Sequence, residues 1–174
     1  MTVEPVSKKY QVYLRKYDIA HAMSKEMISN IAGFKVDGVW HTSIEVHDKE
    51  YFMGVGIECV EPGQCNRYGV LVDRMLLGET ECDPETLKAF IEDHKDDMWA
   101  PQTYHMLDHN CNHFTDYLAK FLTSNGIPVE ILELSEKAKT NPMFVQFYKQ
   151  NQKQFHSSIN SARGGLDNLS KKFK

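Results

Sequence analysis

The chain has 174 residues, of which 41% are hydrophobic, 25% charged and 11% aromatic, with a formal charge of −4 and a pI near 6.1. A chain of this length buries about 70% of the surface its unfolded form exposes, so one ordinary core suffices without disulfide staples or a structural metal. The acidic balance speaks against a nucleic-acid-binding or bilayer-binding body, because phosphate affinity grows with each Lys or Arg on the surface. Cys59, Cys65, Cys82 and Cys111 form no dense framework, the opening MTVEPVSKKYQ has no apolar h-region, and no apolar run approaches about 18 residues. Unbridged thiols in a reducing compartment, the cytoplasm and also the nucleus, are therefore expected.

In chain order the pattern alternates in type and predicts an α+β domain over residues 1–150. Tyr10 to Tyr17 reads as a strand, and Met23, Met27, Ile28 and Ile31 give a helical stripe ending near Gly33. Segments 38–46 (GVWHTSIEV) and 51–58 (YFMGVGIE) are β-branched and aromatic, as in an antiparallel hairpin, and Tyr68 to Leu77 extends that sheet. Asp83-Pro84 opens a helix expected to run to about Asp97, with Asp as N-cap and Pro at the first position, where its missing N–H costs nothing. After a break at Trp99-Ala100-Pro101 and a short extended piece around Tyr104, a strong helix begins near Cys111. It ends by Gly126, Pro128 bars its continuation, and shorter helices follow to about Gln150.

Residues 151–174 stand apart. Five basic residues (Lys153, Arg163, Lys171, Lys172, Lys174) face one acid, Asp167, so the tail carries +4 and residues 1–150 carry −8. Phe155, Ile159, Ala162, Leu166, Leu169 and Phe173 recur at helical steps, interrupted by Gly164-Gly165 at about 1 kcal/mol per glycine. The expectation is a disordered or marginally amphipathic tail, with weak contact to a partner or an anionic membrane as its functional alternative.

The chemistry concentrates at Cys111. It shares the apolar side of its helix with Phe114, Leu118, Phe121 and Leu122, one turn earlier, with Asn110 or His109 available to cap. A thiol at a helix N-terminus meets the positive end of the macrodipole and unpaired N–H groups, so its pKa is expected to fall below about 8.5. The bland alternative is a small apolar filler. Cys59 and Cys65 flank a Glu-Pro-Gly turn and Cys82 precedes a helix cap, so all three read as bystanders.

A nucleophilic thiol needs a base, and His41 is the best of the eight histidines, with His47 a weaker second. Alternation in GVWHTSIEV puts Val39, His41, Ser43 and Glu45 on a polar face and Trp40, Thr42, Ile44 and Val46 on the core face. His105, His109, Cys111 and His113 are a rival zinc constellation, since three histidines at four-residue steps would share a helix face. Their spacing fits neither CxxC nor HExxH, and a helix starting between His109 and Cys111 breaks the ladder, so no metal and no cofactor is expected.

With GVWHTSIEV at 38–46, EYFMGVGI at 50–57, Tyr104, HNCNHF at 109–114 and FLTSNGIP at 121–128 in view, the sequence resembles the PPPDE family over roughly residues 10–150. These are permuted papain-like cysteine peptidases that include deSUMOylating isopeptidases. The resemblance implies a His41/Cys111 dyad, an antiparallel sheet packed with helices, and a homodimer with its groove near the subunit interface. Two positions depart from the family pattern: His105 stands where Asn often follows the Tyr, and Gly54-Val55-Gly56 stands where a Gly-Gly pair is common.

The expected activity is removal of a ubiquitin-like modifier, SUMO or ubiquitin, from lysine. The Cys111 backbone N–H would hold the oxyanion, with Tyr104 and Asn110 as supports, and Glu45 or Ser43 would orient His41. Two alternatives are an S-acyl (palmitoyl) protein thioesterase using the same dyad, and a catalytically inactive modifier-binding adaptor.

Overall fold

A computed structural model describes residues 7–146 and 148–150; the basic tail at 151–174, with its apolar stripe, lies outside them. Five antiparallel strands form one sheet: β1 (Tyr10–Asp18), β2 (Trp40–Val46), β3 (Lys49–Gly54), β4 (Gly56–Val60) and β5 (Val70–Thr80), in the order β4-β3-β2-β1-β5. The helices are α1 (Lys25–Ala32), α2 (Pro84–His94), α3 (Cys111–Thr123) and α4 (Val129–Lys139), and the chain is helical again at 142–146. The expected α+β architecture is what forms. Among the described residues no helix is long and apolar enough to cross a membrane.

Three local readings need correction. Segment 51–58 is two strands, because the chain reverses at Val55 between the paired Gly54 and Gly56, the latter at φ 111° where a side chain would be strained. The strand after residue 68 does extend the sheet, but at the far edge, against β1. Helix α1 starts later than Met23, capped by Ser24, whose hydroxyl accepts from the Met27 N–H. Met27 and Ile31 lie exposed, and Ile28 and Ile31 line a cavity rather than the core.

The sheet has two covered faces. Val12, Leu14, Ile44, Val46 and Met53 meet Phe114, Leu118 and Leu122 of α3 to form the main core. The opposite face, expected to be polar and open, is also covered. To pass from β4 at one edge to β5 at the other, the chain must cross the sheet, and residues 61–69 do so with a 3-10 turn at Gln64–Tyr68. Beneath that crossing Tyr17, Phe52 and Cys65 form a second small core, with Tyr68 packed against it. His41 is 3% exposed and Ser43 fully buried as a result.

Candidate active site

The start of α3 is set by its cap. Asn110 is the N-cap: its Oδ1 accepts from the backbone N–H groups of Asn112 (2.9 Å) and His113 (3.2 Å), and the Asn110 N–H is returned to His113 Nδ1 in a capping box. The Asn110 amide donates to Met106 O (2.6 Å) and Ser135 Oγ (3.1 Å), tying the helix start to α4. Asn110 therefore supports Cys111 by holding its helix.

Cys111 meets the sheet where two strands part. The β2–β3 ladder runs from Val46↔Lys49 to Ile44↔Tyr51 and stops, leaving the Trp40–Ser43 edge without β3. Helix α3 takes that edge. Asn112 Nδ2 donates to Trp40 O (3.0 Å), Thr115 Oγ1 donates to Thr42 O (3.1 Å), and Thr42 Oγ1 donates to Asn112 Oδ1 (2.8 Å). The Thr42 backbone N–H, in the peptide that follows His41, favours the Cys111 thiolate. These bonds satisfy edge groups that would otherwise be orphaned in the interior.

His41 lies opposite Tyr17 across the β1–β2 pair and stacks on Tyr68, with ring centroids 4.7 Å apart and planes at 25°. Phe52 packs edge-on against both rings, at 5.5 Å from His41 and 5.3 Å from Tyr68. Neither sequence candidate for orienting His41 serves that role. Ser43 donates to the buried Glu50 (2.6 Å), while Glu45 is held by Arg15 (2.8 Å) and by a two-point contact with Arg74 (2.7 and 2.9 Å). His47 sits at the β2–β3 turn, bonded to Cys82 O and packed on Tyr10, at the other end of β2 from the thiol.

Tyr104 lines the same cavity as Cys111, and burial pushes its phenol up, with Cys111, Tyr148 and Tyr68 near enough to add to the shift. The helix N-terminus was expected to depress the Cys111 pKa; instead burial pushes it up to about 11, against the pull of the Thr42, Asn112 and Cys111 N–H groups. Apolar surroundings outweigh the dipole, so the isolated thiol holds its proton at neutral pH. The surroundings are a cavity of about 370 Å³ walled by α1, α4 and the 104–107 segment, with Ile28, Phe34, Val36, Trp40, Leu134 and Phe144 among its lining.

The histidines of the zinc alternative go separate ways. His105 bonds Asp108, His109 stacks on Trp99, and His113 closes the capping box. Among the described residues no group of three or more His, Cys, Asp or Glu could hold a metal ion.

The profile of the family described as "PPPDE putative peptidase domain" matches residues 10–152. The chain belongs to the PPPDE peptidase family. PPPDE relatives include desumoylating isopeptidase 1 of Xenopus laevis, 32% identical over 142 residues that cover 81% of this chain and 83% of that protein. Human desumoylating isopeptidase 1 is 31% identical over 138 residues, 76% and 79% of the two chains. A DeSI-like protein of Arabidopsis thaliana is 30% identical over 123 residues, 67% of this chain and 51% of its own length. As a PPPDE member the chain is a hydrolase of the cysteine peptidase type. Tyr68 carries no local sequence signal and was not anticipated: only the crossing of the sheet brings it to His41.

Proposed function

We propose that the chain is a thiol isopeptidase that removes a SUMO-type modifier from lysine side chains, with Cys111 as nucleophile and His41 as its base. The observation that carries this reading is that α3 is bonded to the strand on either side of His41, Asn112 Nδ2 to Trp40 O and Thr115 Oγ1 to Thr42 O, which sets Cys111 beside that strand. The name desumoylating isopeptidase 1, borne by relatives that match most of the chain, supports SUMO-conjugated proteins as the substrate class.

A thiol that ionises only at about 11 needs a base to react at neutral pH. In the proposed sequence, His41 takes the Cys111 proton as Sγ attacks the carbonyl carbon of the modifier's terminal glycine. The carbonyl electron pair moves to oxygen, where the Cys111 backbone N–H receives the charge; such a donor is worth about 10²–10³ in rate. Collapse breaks the C–N bond, and His41 passes its proton to the departing lysine amine. Water, deprotonated by His41, then cleaves the thioester and restores the thiol.

One observation favours a second reading with the same dyad, hydrolysis of an S-acyl thioester: the apolar cavity into which Cys111 opens suits an aliphatic chain. The two separate when purified protein is offered a SUMO–lysine isopeptide conjugate, a ubiquitin conjugate and a fluorogenic S-acyl probe. Cleavage of the SUMO conjugate, lost in Cys111→Ala, is the expected result. Hydrolysis of the acyl probe alone overturns the isopeptidase reading.

A further inference from the structure

The dyad is not the whole of the arrangement around His41. Tyr68 lies half-buried on the segment that crosses the sheet, its ring stacked on the imidazole at 4.7 Å and 25°. Its phenol donates to Glu58 Oε1 of β4 (2.9 Å), which also accepts the Val55 N–H. The placement is built. A Cβ at Gly54 would run into both the Tyr68 hydroxyl and Glu58 Oε1, so any side chain there would displace the pair. Just after Tyr68 the chain turns at Gly69 (φ 150°), where a Cβ would lie 2.4 Å from Asp18 O.

We infer that Tyr68 is a positioning residue for the reaction, holding the His41 ring and stabilising, through its π-face, the imidazolium formed when Cys111 gives up its proton. This rests on the dyad proposed above. A cation over an aromatic face is attracted by the ring quadrupole, and a phenol that donates to a carboxylate has an electron-richer ring. Other described groups packed around His41 have different roles. Tyr17 of β1 presents a neutral phenol already committed to Glu50, with Arg15 behind it; Phe52 of β3 does not titrate; Cys111 of α3 is the proton donor. Glu58 acts through Tyr68.

The test replaces Tyr68 with Leu, with Phe, and with phenylalanines fluorinated at one and at five ring positions, which weaken the π-face at nearly constant size. Two readouts are used on the full chain: the pH profile of SUMO-conjugate cleavage, and site-resolved alkylation of Cys111 by iodoacetamide, which needs no substrate. Tyr68→Phe is expected to stay within about threefold of the parent. Tyr68→Leu is expected to lower Cys111 alkylation near neutral pH about tenfold and move the acid limb about half to one unit down, because the imidazolium loses its partner. The fluorinated series should fall in step, which decides the matter even if the Leu variant does not fold. A flat fluorinated series, or a loss of rate with an unmoved acid limb, overturns the proposal. Alkylation that follows ring electronics in a protein that cleaves no SUMO conjugate would uphold Tyr68 and reject the substrate reading.

Discussion

Thr42 donates its side-chain hydroxyl to Asn112 Oδ1 (2.8 Å), so a residue of the sheet and the helix residue next to Cys111 are joined by a bond that neither element makes on its own. Two others accompany it because β3 leaves β2 after Ile44↔Tyr51, and Asn112 and Thr115 take vacated positions at Trp40 O and Thr42 O. The proposed nucleophile is thus placed by sheet hydrogen bonding, which tolerates little displacement.

Removing those bonds should therefore cost stability and rate together. Thr115→Val keeps the volume but leaves the buried Thr42 carbonyl without its donor, a loss of about 1–2 kcal/mol. Asn112→Ala strips partners from both Trp40 O and Thr42 Oγ1 and should cost about 2–4 kcal/mol. Urea unfolding gives the stabilities, and conjugate cleavage should fall more in Asn112→Ala than in Thr115→Val.

The raised thiol pKa predicts a pH dependence with a definite sign. In His41→Ala, alkylation of Cys111 should rise about tenfold per pH unit from 7 to 9 and approach a plateau only near 11, since the thiolate fraction follows the thiol's own ionisation. With His41 present the profile should be flatter and higher at neutral pH. Stability follows the same linkage. The unfolded chain releases this proton at about 8.5 while the fold keeps it to about 11, so stability falls as pH rises through that window, and Cys111→Ala removes that part of the slope.

Features carried by local chemistry were legible in the sequence: the Asp83-Pro84 and Asn110-Cys111 helix starts, the GVWHTSIEV strand, and the stop near Gly126 before Pro128. Each depends on residues within one turn or one hairpin. The doubled strand at 51–58 was hidden because Gly54-Val55-Gly56 continues an alternating pattern while reversing the chain. The burial of His41 was hidden for a different reason. Nothing within residues 38–46 announces that 61–69 will cross above it, so a strand with one polar face was the natural reading. The thiol pKa went astray likewise, since the dipole is local to α3 whereas the apolar cavity is assembled from α1, α4 and the 142–146 helix.

Beneath the crossing segment, the buried Glu50 carboxylate accepts from Tyr17 (2.5 Å), Ser43 (2.6 Å) and the Gly63 N–H (2.8 Å), and faces Arg15 at 3.7 Å. Glu50→Ala leaves all of these groups without that acceptor and should cost about 3–5 kcal/mol, seen as a lowered midpoint in thermal or urea unfolding. Glu50→Gln retains an acceptor oxygen and should cost less. Equal losses in the two variants would show that charge and hydrogen bonding at this position contribute nothing beyond packing.

Gly54 offers a check at a distance from His41. Gly54→Ala brings a methyl against the Tyr68 hydroxyl and Glu58, so Tyr68 must shift. A loss of about 1–3 kcal/mol is expected, together with a fall in Cys111 alkylation near neutral pH toward that of Tyr68→Leu. Iodoacetamide labelling read by mass measures the second effect independently of substrate.

The central claim is that Cys111 attacks a modifier's C-terminal carbonyl with His41 as base. Its most direct test is to incubate the full chain with SUMO carrying a C-terminal electrophile and locate the adduct by mass. A single adduct on Cys111, formed at least about 10³-fold more slowly in His41→Ala and absent in Cys111→Ala, is the predicted result. An adduct on another residue, or undiminished cleavage of a SUMO–lysine conjugate by Cys111→Ala, would contradict it.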